Sequence, residues 1–256
     1  MNRDETSRSI TDRARGSMSA LVAAIALATI VFHAGAPSAR AAGAPRSRVV
    51  SVDFARGAQG WKGDFADYPD GSEAFYELEA GMAPLPDGLR GGASALRLRG
   101  NNHSDDLFLF ARGPVDGLVP GARYAVRVDL VLASNSPAGA IGIGGAPGEG
   151  VSVKAGALGV EPVTLVDRCF VLLDADKGNQ SVGGVDASVV GDLAVKTPIE
   201  APRFLLKRYP WRKLPALEVT ADGAGRAWLF AGADSGFEGP TTVYLVRVKA
   251  RFVRLD

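Results

Sequence analysis

The side chains that could do chemistry gather in four polar stretches: residues 101–106 (NNHSDD), 142–150 (GIGGAPGEG), 174–181 (DADKGNQS) and 234–239 (DSGFEG). Asp105, Asp106, Asp174, Asp176, Asp234 and Glu238 supply carboxylates, and two-carboxylate glycoside hydrolysis needs such a pair at a fixed separation. His103 is the one histidine after His33. A catalytic reading therefore uses His103 with Asp105, Asp176, Asp234 and Glu238. A binding reading uses Asn102, His103, Asp105, Asp106, Lys154, Asp176, Lys177, Asn179, Gln180, Asp234 and Glu238. Both require the stretches to meet at one end of the fold, where function commonly lives on loops.

Asp174-x-Asp176-x-Gly178-Asn179 resembles a calcium loop, with Asp174, Asp176 and Asn179 as ligands. It departs from the EF-hand, which places glycine one position later and a bidentate glutamate where Val185 stands. The competing reading is that Asp, Asn and Gly form turns and cap backbone groups. Residues 142–150 lack the Gly-Lys-Ser/Thr of a phosphate loop, and Pro147 opposes a helix after the glycines. One histidine and Cys169 remain after residue 41, which excludes the usual His/Cys zinc site. No G-x-S-x-G elbow occurs.

Two basic features stand apart from these loops. Arg97, Arg99, Arg127, Arg247, Lys249 and Arg251 occupy alternate positions of apolar strands, so neighbouring strands would build a cationic sheet face suited to an acidic polysaccharide. The alternative is a solvated face whose arginine stems cover apolar surface. Residues 207–213 (KRYPWRK) interleave Tyr209 and Trp211 with cations, and an exposed ring there stacks on a sugar or packs back on the fold.

These groups are positioned by strands. Tyr124, Val126, Val128, Leu130 and Leu132 alternate with Arg123, Ala125, Arg127 and Asp129, the period of a half-buried strand. The closing segment repeats this, with Tyr244, Val246, Val248, Ala250 and Phe252 expected on one face. Strands are also expected over 48–54, 74–78, 94–99, 107–111, 151–155, 163–173, 189–195, 203–207, 216–220 and 227–231, with loops at 57–70 and 81–92. Cys169, inside the apolar run 163–173, is expected to be buried, as are Trp61 and Trp228. With 32 glycines and 15 prolines for the corners, the fold class is all-β, an antiparallel β-sandwich or jelly roll.

Residues 1–41 read as a signal peptide: Arg13 and Arg15 precede an apolar run from Met18 to Phe32, and Ala39-Arg40-Ala41 fits a cleavage site. The run is too short for a membrane span of about 20 residues. Residues 42–256 are then a single β-sandwich domain, periplasmic or extracellular. Five of the 29 basic residues and three of the 28 acidic ones lie in 1–41, leaving 24 against 25. That balance excludes nucleic acid as the partner, since phosphate binding needs excess positive charge.

The corner Leu118-x-Pro120-Gly121-x-x-Tyr124-x-Val126 and the closing run from Thr242 to Val248 resemble the galactose-binding-like jelly rolls of carbohydrate-binding modules. The chain is also similar to uncharacterised exported bacterial β-sandwich proteins. The resemblance implies an exported, non-catalytic module that holds carbohydrate on its loops or on a sheet face. It departs from the family at Val246, where such modules often carry an aspartate. The alternatives are a polysaccharide hydrolase or lyase using the acidic loops, and a structural or assembly protein.

Overall fold

The computed structural model describes residues 45–104, 106–211 and 216–256. The expected signal peptide and Asp105 lie outside these residues. Among them run β1 (Ser47–Asp53), β2 (Lys62–Ala66), β3 (Tyr68–Pro69), β4 (Glu79–Pro84), β5 (Ser94–Asn101), β6 (Leu107–Val115), β7 (Arg123–Ser134) and β8 (Val151–Leu158). There follow β9 (Thr164–Asp167), β10 (Phe170–Leu173), β11 (Ala187–Asp192), β12 (Leu205–Tyr209), β13 (Leu217–Thr220), β14 (Ala227–Ser235) and β15 (Pro240–Arg254).

The first sheet has the order β12-β7-β15-β5-β4, with β13 also on β7 and β1 also on β15. The second has the order β11-β8-β14-β6-β2, and a small third sheet is β3-β10-β9. Every strand pair is antiparallel. The first two sheets face each other across one apolar core, which makes the fold a β-sandwich.

β7 behaves as its alternation predicts: Tyr124, Val126, Val128, Leu130 and Leu132 all enter the core. The corner before it is fixed by Gly121 at φ 69° and by the Val119 amide, which donates to the Tyr124 hydroxyl at 2.8 Å. β15, the central strand of its sheet, departs from simple alternation. The register with β7 shifts between Leu245 and Arg247, a bulge at Val246. Before it Val243 and Leu245 point into the core, and after it Val248, Ala250 and Phe252 do. Tyr244 and Val246 consequently lie on the opposite face, in a satellite cluster with Leu85, Val131 and Ala133. An inserted residue reverses side-chain parity.

Other expectations shift as well. Residues 74–78 form a turn, β4 (Glu79–Pro84) runs into the expected loop 81–92, and β2 and β3 lie inside the expected loop 57–70. The run 163–173 is a hairpin of β9 and β10 whose tip, Arg168-Cys169, adopts positive φ at both residues (47° and 68°). Two-residue tips of this hand match strand twist, and they leave Cys169 exposed. Trp61 is buried, while Trp228 is half-buried.

The outer face of the second sheet is apolar at Phe108, Phe110, Leu158 and Phe230. Leu173 at the end of β10 and Ala175 after it pack on this face, so the stretch that follows β10 covers it. The outer face of the first sheet stays largely open to solvent and carries the basic residues of β7 and β15.

Candidate functional site

Several residues expected in a loop-end site come together, but beneath the cover on the second sheet. Asp234 is an outward position of β14, opposite Ser152 of β8 and Phe108 of β6. Lys154, an outward position of β8, places Nζ 2.8 Å from Asp234 Oδ2, and both side chains are completely buried. Lys177 descends from the covering loop, with Nζ 2.9 Å from Asp234 Oδ2 and 2.8 Å from Asp67 Oδ2. It also lies 5.1 Å from the centre of the Phe108 ring. Lys154 Nζ donates to the Lys177 carbonyl at 2.9 Å, tying the loop to the sheet.

Asp106 completes the cluster: one oxygen each from Asp67, Asp106 and Asp234 lie within 4.8 Å of one another. Asp106 Oδ1 and Asp234 Oδ1 are buried without a donor partner. Burial pushes the Asp106 carboxyl up to about 7, and the charges of Asp234 and Asp67 add to the effect. Burial also raises Asp67 against the pull of Lys177. It lowers Lys154 despite Asp234. Lys177 is raised, because Asp234 and Asp67 outweigh its own desolvation. A proton on Asp106 balances the remaining two carboxylates against the two ammonium groups.

This chemistry holds a fold together and does not suit a hard cation, which wants six to eight oxygens. Two ammonium groups already sit within 3 Å of the carboxylates that would ligate it. The expected calcium loop is likewise occupied by its own backbone. Asp176 Oδ1 accepts from the Gly178 amide at 3.1 Å and Oδ2 from Val185 at 2.9 Å. Those backbone hydrogen bonds hold its carboxyl below the usual range. Asp174 and Asn179 are exposed.

The remaining predicted site residues disperse. Asn102 is buried and donates to the carbonyls of Ser235 and Phe237 at 2.9 and 3.1 Å, a structural clasp. His103 is exposed, stacks on Phe75 with ring centres 4.1 Å apart, and has Nε2 3.1 Å from the Phe75 carbonyl. Gln180 packs near Gly236. The Glu238 backbone bridges to Ile143. Asp67, Asp106, Asp176, Lys177 and Asn179 line one open cleft of about 290 Å³ above the buried cluster. Asp67 was not among the predicted residues, since nothing in GDFADYPD separates it from a turn former. Lys154 and Asp234 did carry a signal: each is a charge inside a strand apolar on both faces.

The outer face of the first sheet is different. The pairing of β15 with β7 and β1 sets Arg247, Lys249 and Arg251 in one column on the outer face, with Arg251 exposed and Arg247 and Lys249 half-buried. Opposite them stand Val131, Asp129 and Arg127 on β7, and Asp53, Ser51 and Val49 on β1. Trp211 leans over this column: its indole ring lies 5.1 Å from Lys249 Nζ, and its amide donates to Asp129 Oδ1. The ring is half-buried and lines a cleft of about 200 Å³ with Ala125, Arg127, Ala216, Arg251 and Val253. A second cleft, about 160 Å³, lies further along the face between Arg90, Arg208 and Arg247.

Arg97 and Arg99, expected to extend the cationic face, are neutralised. Arg97 pairs with Glu79 at 2.6 Å, and Arg99 pairs with Glu77 and Glu79 at 2.5 and 3.1 Å. The basic surface is therefore confined to β7, β15 and the β12 end.

No family model and no curated protein matches the chain. Among solved structures, it is similar to a xylan-binding domain from Paenibacillus barcinonensis (10% identity, 81% of this chain and 95% of that one, TM-score 0.38). It is also similar to a family 11 carbohydrate-binding module of a Clostridium thermocellum cellulosomal cellulase (7%, 81% and 95%, TM-score 0.37). A mannan-recognising carbohydrate-binding module is a third such structure (13%, 81% and 98%, TM-score 0.36).

Proposed function

We propose that this chain is an exported, non-catalytic carbohydrate-binding domain that takes its ligand on the outer face of the first sheet. The observation that carries this reading is the Trp211 cleft. An indole ring stands over a shallow open trough, braced by Lys249 and flanked by Arg127 and Arg251. Aromatic rings with one apolar face and polar neighbours suit a sugar, whose C–H face packs on the ring while its hydroxyls reach the flanking donors. Arg127 and Arg251 stand on hydrogen-bonded neighbouring strands, so little backbone ordering is needed on binding.

A catalytic reading gains nothing from the acidic groups that gather. Asp234 is sealed and held by two lysines, and His103 is engaged with Phe75. Among the described residues no helix is long and apolar enough to cross a membrane. Export rests on the residue pattern of 1–41.

The test is retention of the purified exported protein on gels containing neutral or acidic polysaccharides. Retention by at least one polymer, lost in Trp211→Ala with an unchanged melting temperature, is the expected result. Free migration through every polymer contradicts the reading.

A further inference from the structure

We infer that the ligand of this face is a carboxylated polysaccharide, its uronate groups taken by Arg127, Arg251 and Arg247 beside Trp211. This deepens the carbohydrate reading and rests on it. Arg127 and Arg251 are direct register partners on the exposed face. Like charges directly opposite in an antiparallel pair are destabilising. Among the described residues, no carboxylate forms an ion pair with either. Arg208 and Lys249 also have no ion pair there, and Asp129, opposite Lys249, is engaged by the Trp211 amide.

Two steps along β15, Arg247 faces Val131 on one side and Asp53 on the other. Asp53 is already taken by Arg90 through two hydrogen bonds of 3.0 Å, which hold its carboxyl below the usual range. Arg247 Nε is left buried without an acceptor, at the wall of the clefts it shares with Arg208. A buried donor without a partner costs stability, and the same side chain lines both clefts, where an anion would meet its guanidinium.

The chain as a whole is near neutral, 29 basic against 28 acidic residues, so this excess is local and not a general field. Guanidinium forks match planar carboxylates bidentately. Alternate residues of β15 project charges about 6.6 Å apart along one line, which suits a polymer with repeated anions better than one small anion.

The experiment titrates the exported protein with polygalacturonate, alginate and hyaluronate, each beside its carboxyl-reduced counterpart. Vesicles of phosphatidylglycerol serve as the competing anionic surface. Binding to at least one uronate polymer should be about tenfold or more tighter than to its reduced form, and should weaken as salt rises. The Arg127→Gln/Arg251→Gln variant should lose this preference while melting no lower than the parent, since it also removes a like-charge pair. Equal affinity for charged and reduced polymers overturns the inference and leaves the carbohydrate reading standing. Binding to the vesicles alone, or to none of these polymers, overturns the inference, while the carbohydrate reading falls only if the neutral polysaccharide gels are also negative.

Discussion

Arg127 and Arg251 face each other across β7 and β15 with no acidic partner among the described residues, a repulsion built into two neighbouring strands of the first sheet. Replacing one of them by a carboxylate should convert repulsion into attraction. Arg127→Glu is expected to raise stability by about 0.2–1 kcal/mol, read as a higher urea midpoint with unchanged slope. The same variant should lose polysaccharide retention. A fall in stability would mean that the guanidinium is needed by the fold.

Asp106 predicts an unusual pH dependence. Its carboxyl titrates near 7 in the folded chain and near the ordinary value of 3.8 when unfolded. The folded state therefore holds the proton more tightly, and the stability this confers is full at low pH and lost as pH rises through 7. The lowered carboxyls of Asp53 and Asp176 act oppositely, but their contribution is complete by about pH 5. Between about pH 5 and pH 8 the melting temperature should fall, by about 2–4 °C per kcal/mol in a chain of this size. Asp106→Asn keeps a neutral donor and should flatten that slope, becoming more stable than the parent at the alkaline end. A parent curve already flat over this range would refute the shared-proton arrangement.

Asp234 is the common partner of two buried ammonium groups. Asp234→Ala leaves both without it and should cost about 3–5 kcal/mol. Lys154→Met should cost less, because Asp234 keeps Lys177 and the new side chain fills an apolar setting. Chemical denaturation of the two variants side by side checks the order, and the reverse order would mean that Lys154 anchors the cluster.

Gly113 of β6 lies under the Trp61 ring, and a methyl group there would come within 2.2 Å of the indole. Gly113→Ala should displace Trp61 and cost about 1–3 kcal/mol by overpacking. Its emission should shift to longer wavelength as the ring meets water. Unchanged fluorescence and stability would show that the ring is free to move aside.

The parts of the fold legible in the sequence are those where local pattern and burial coincide. β7 alternates without interruption and has one wet face, so Tyr124 to Leu132 announce their direction. β15 alternates as well, but its bulge at Val246 depends on register with a neighbouring strand, and period alone set Tyr244 on the wrong face. The run 163–173 is apolar on both sides of Asp167-Arg168, and that polar pair marks where Arg168-Cys169 turns the chain; reading the run as one strand passes over the break. Asp176 and Asn179 looked like ligands because turn formers and cation ligands share the same oxygens. The cationic face was readable as an alternation of Arg and Lys, yet its limits were not, since Glu79 of β4 and Glu77 of the turn before it reach Arg97 and Arg99. Trp211 could be named as an exposed-ring candidate from KRYPWRK, but its place beside Lys249 follows from sheet order.

The central claim is that ligand is held on the first sheet and not on the acidic loops. Retention by a uronate polymer should be measured for Trp211→Ala and for Asn179→Ala, which lines the open cleft on the other side of the molecule. The account predicts that Trp211→Ala loses retention while Asn179→Ala binds like the parent. Loss in Asn179→Ala with full binding by Trp211→Ala would contradict it.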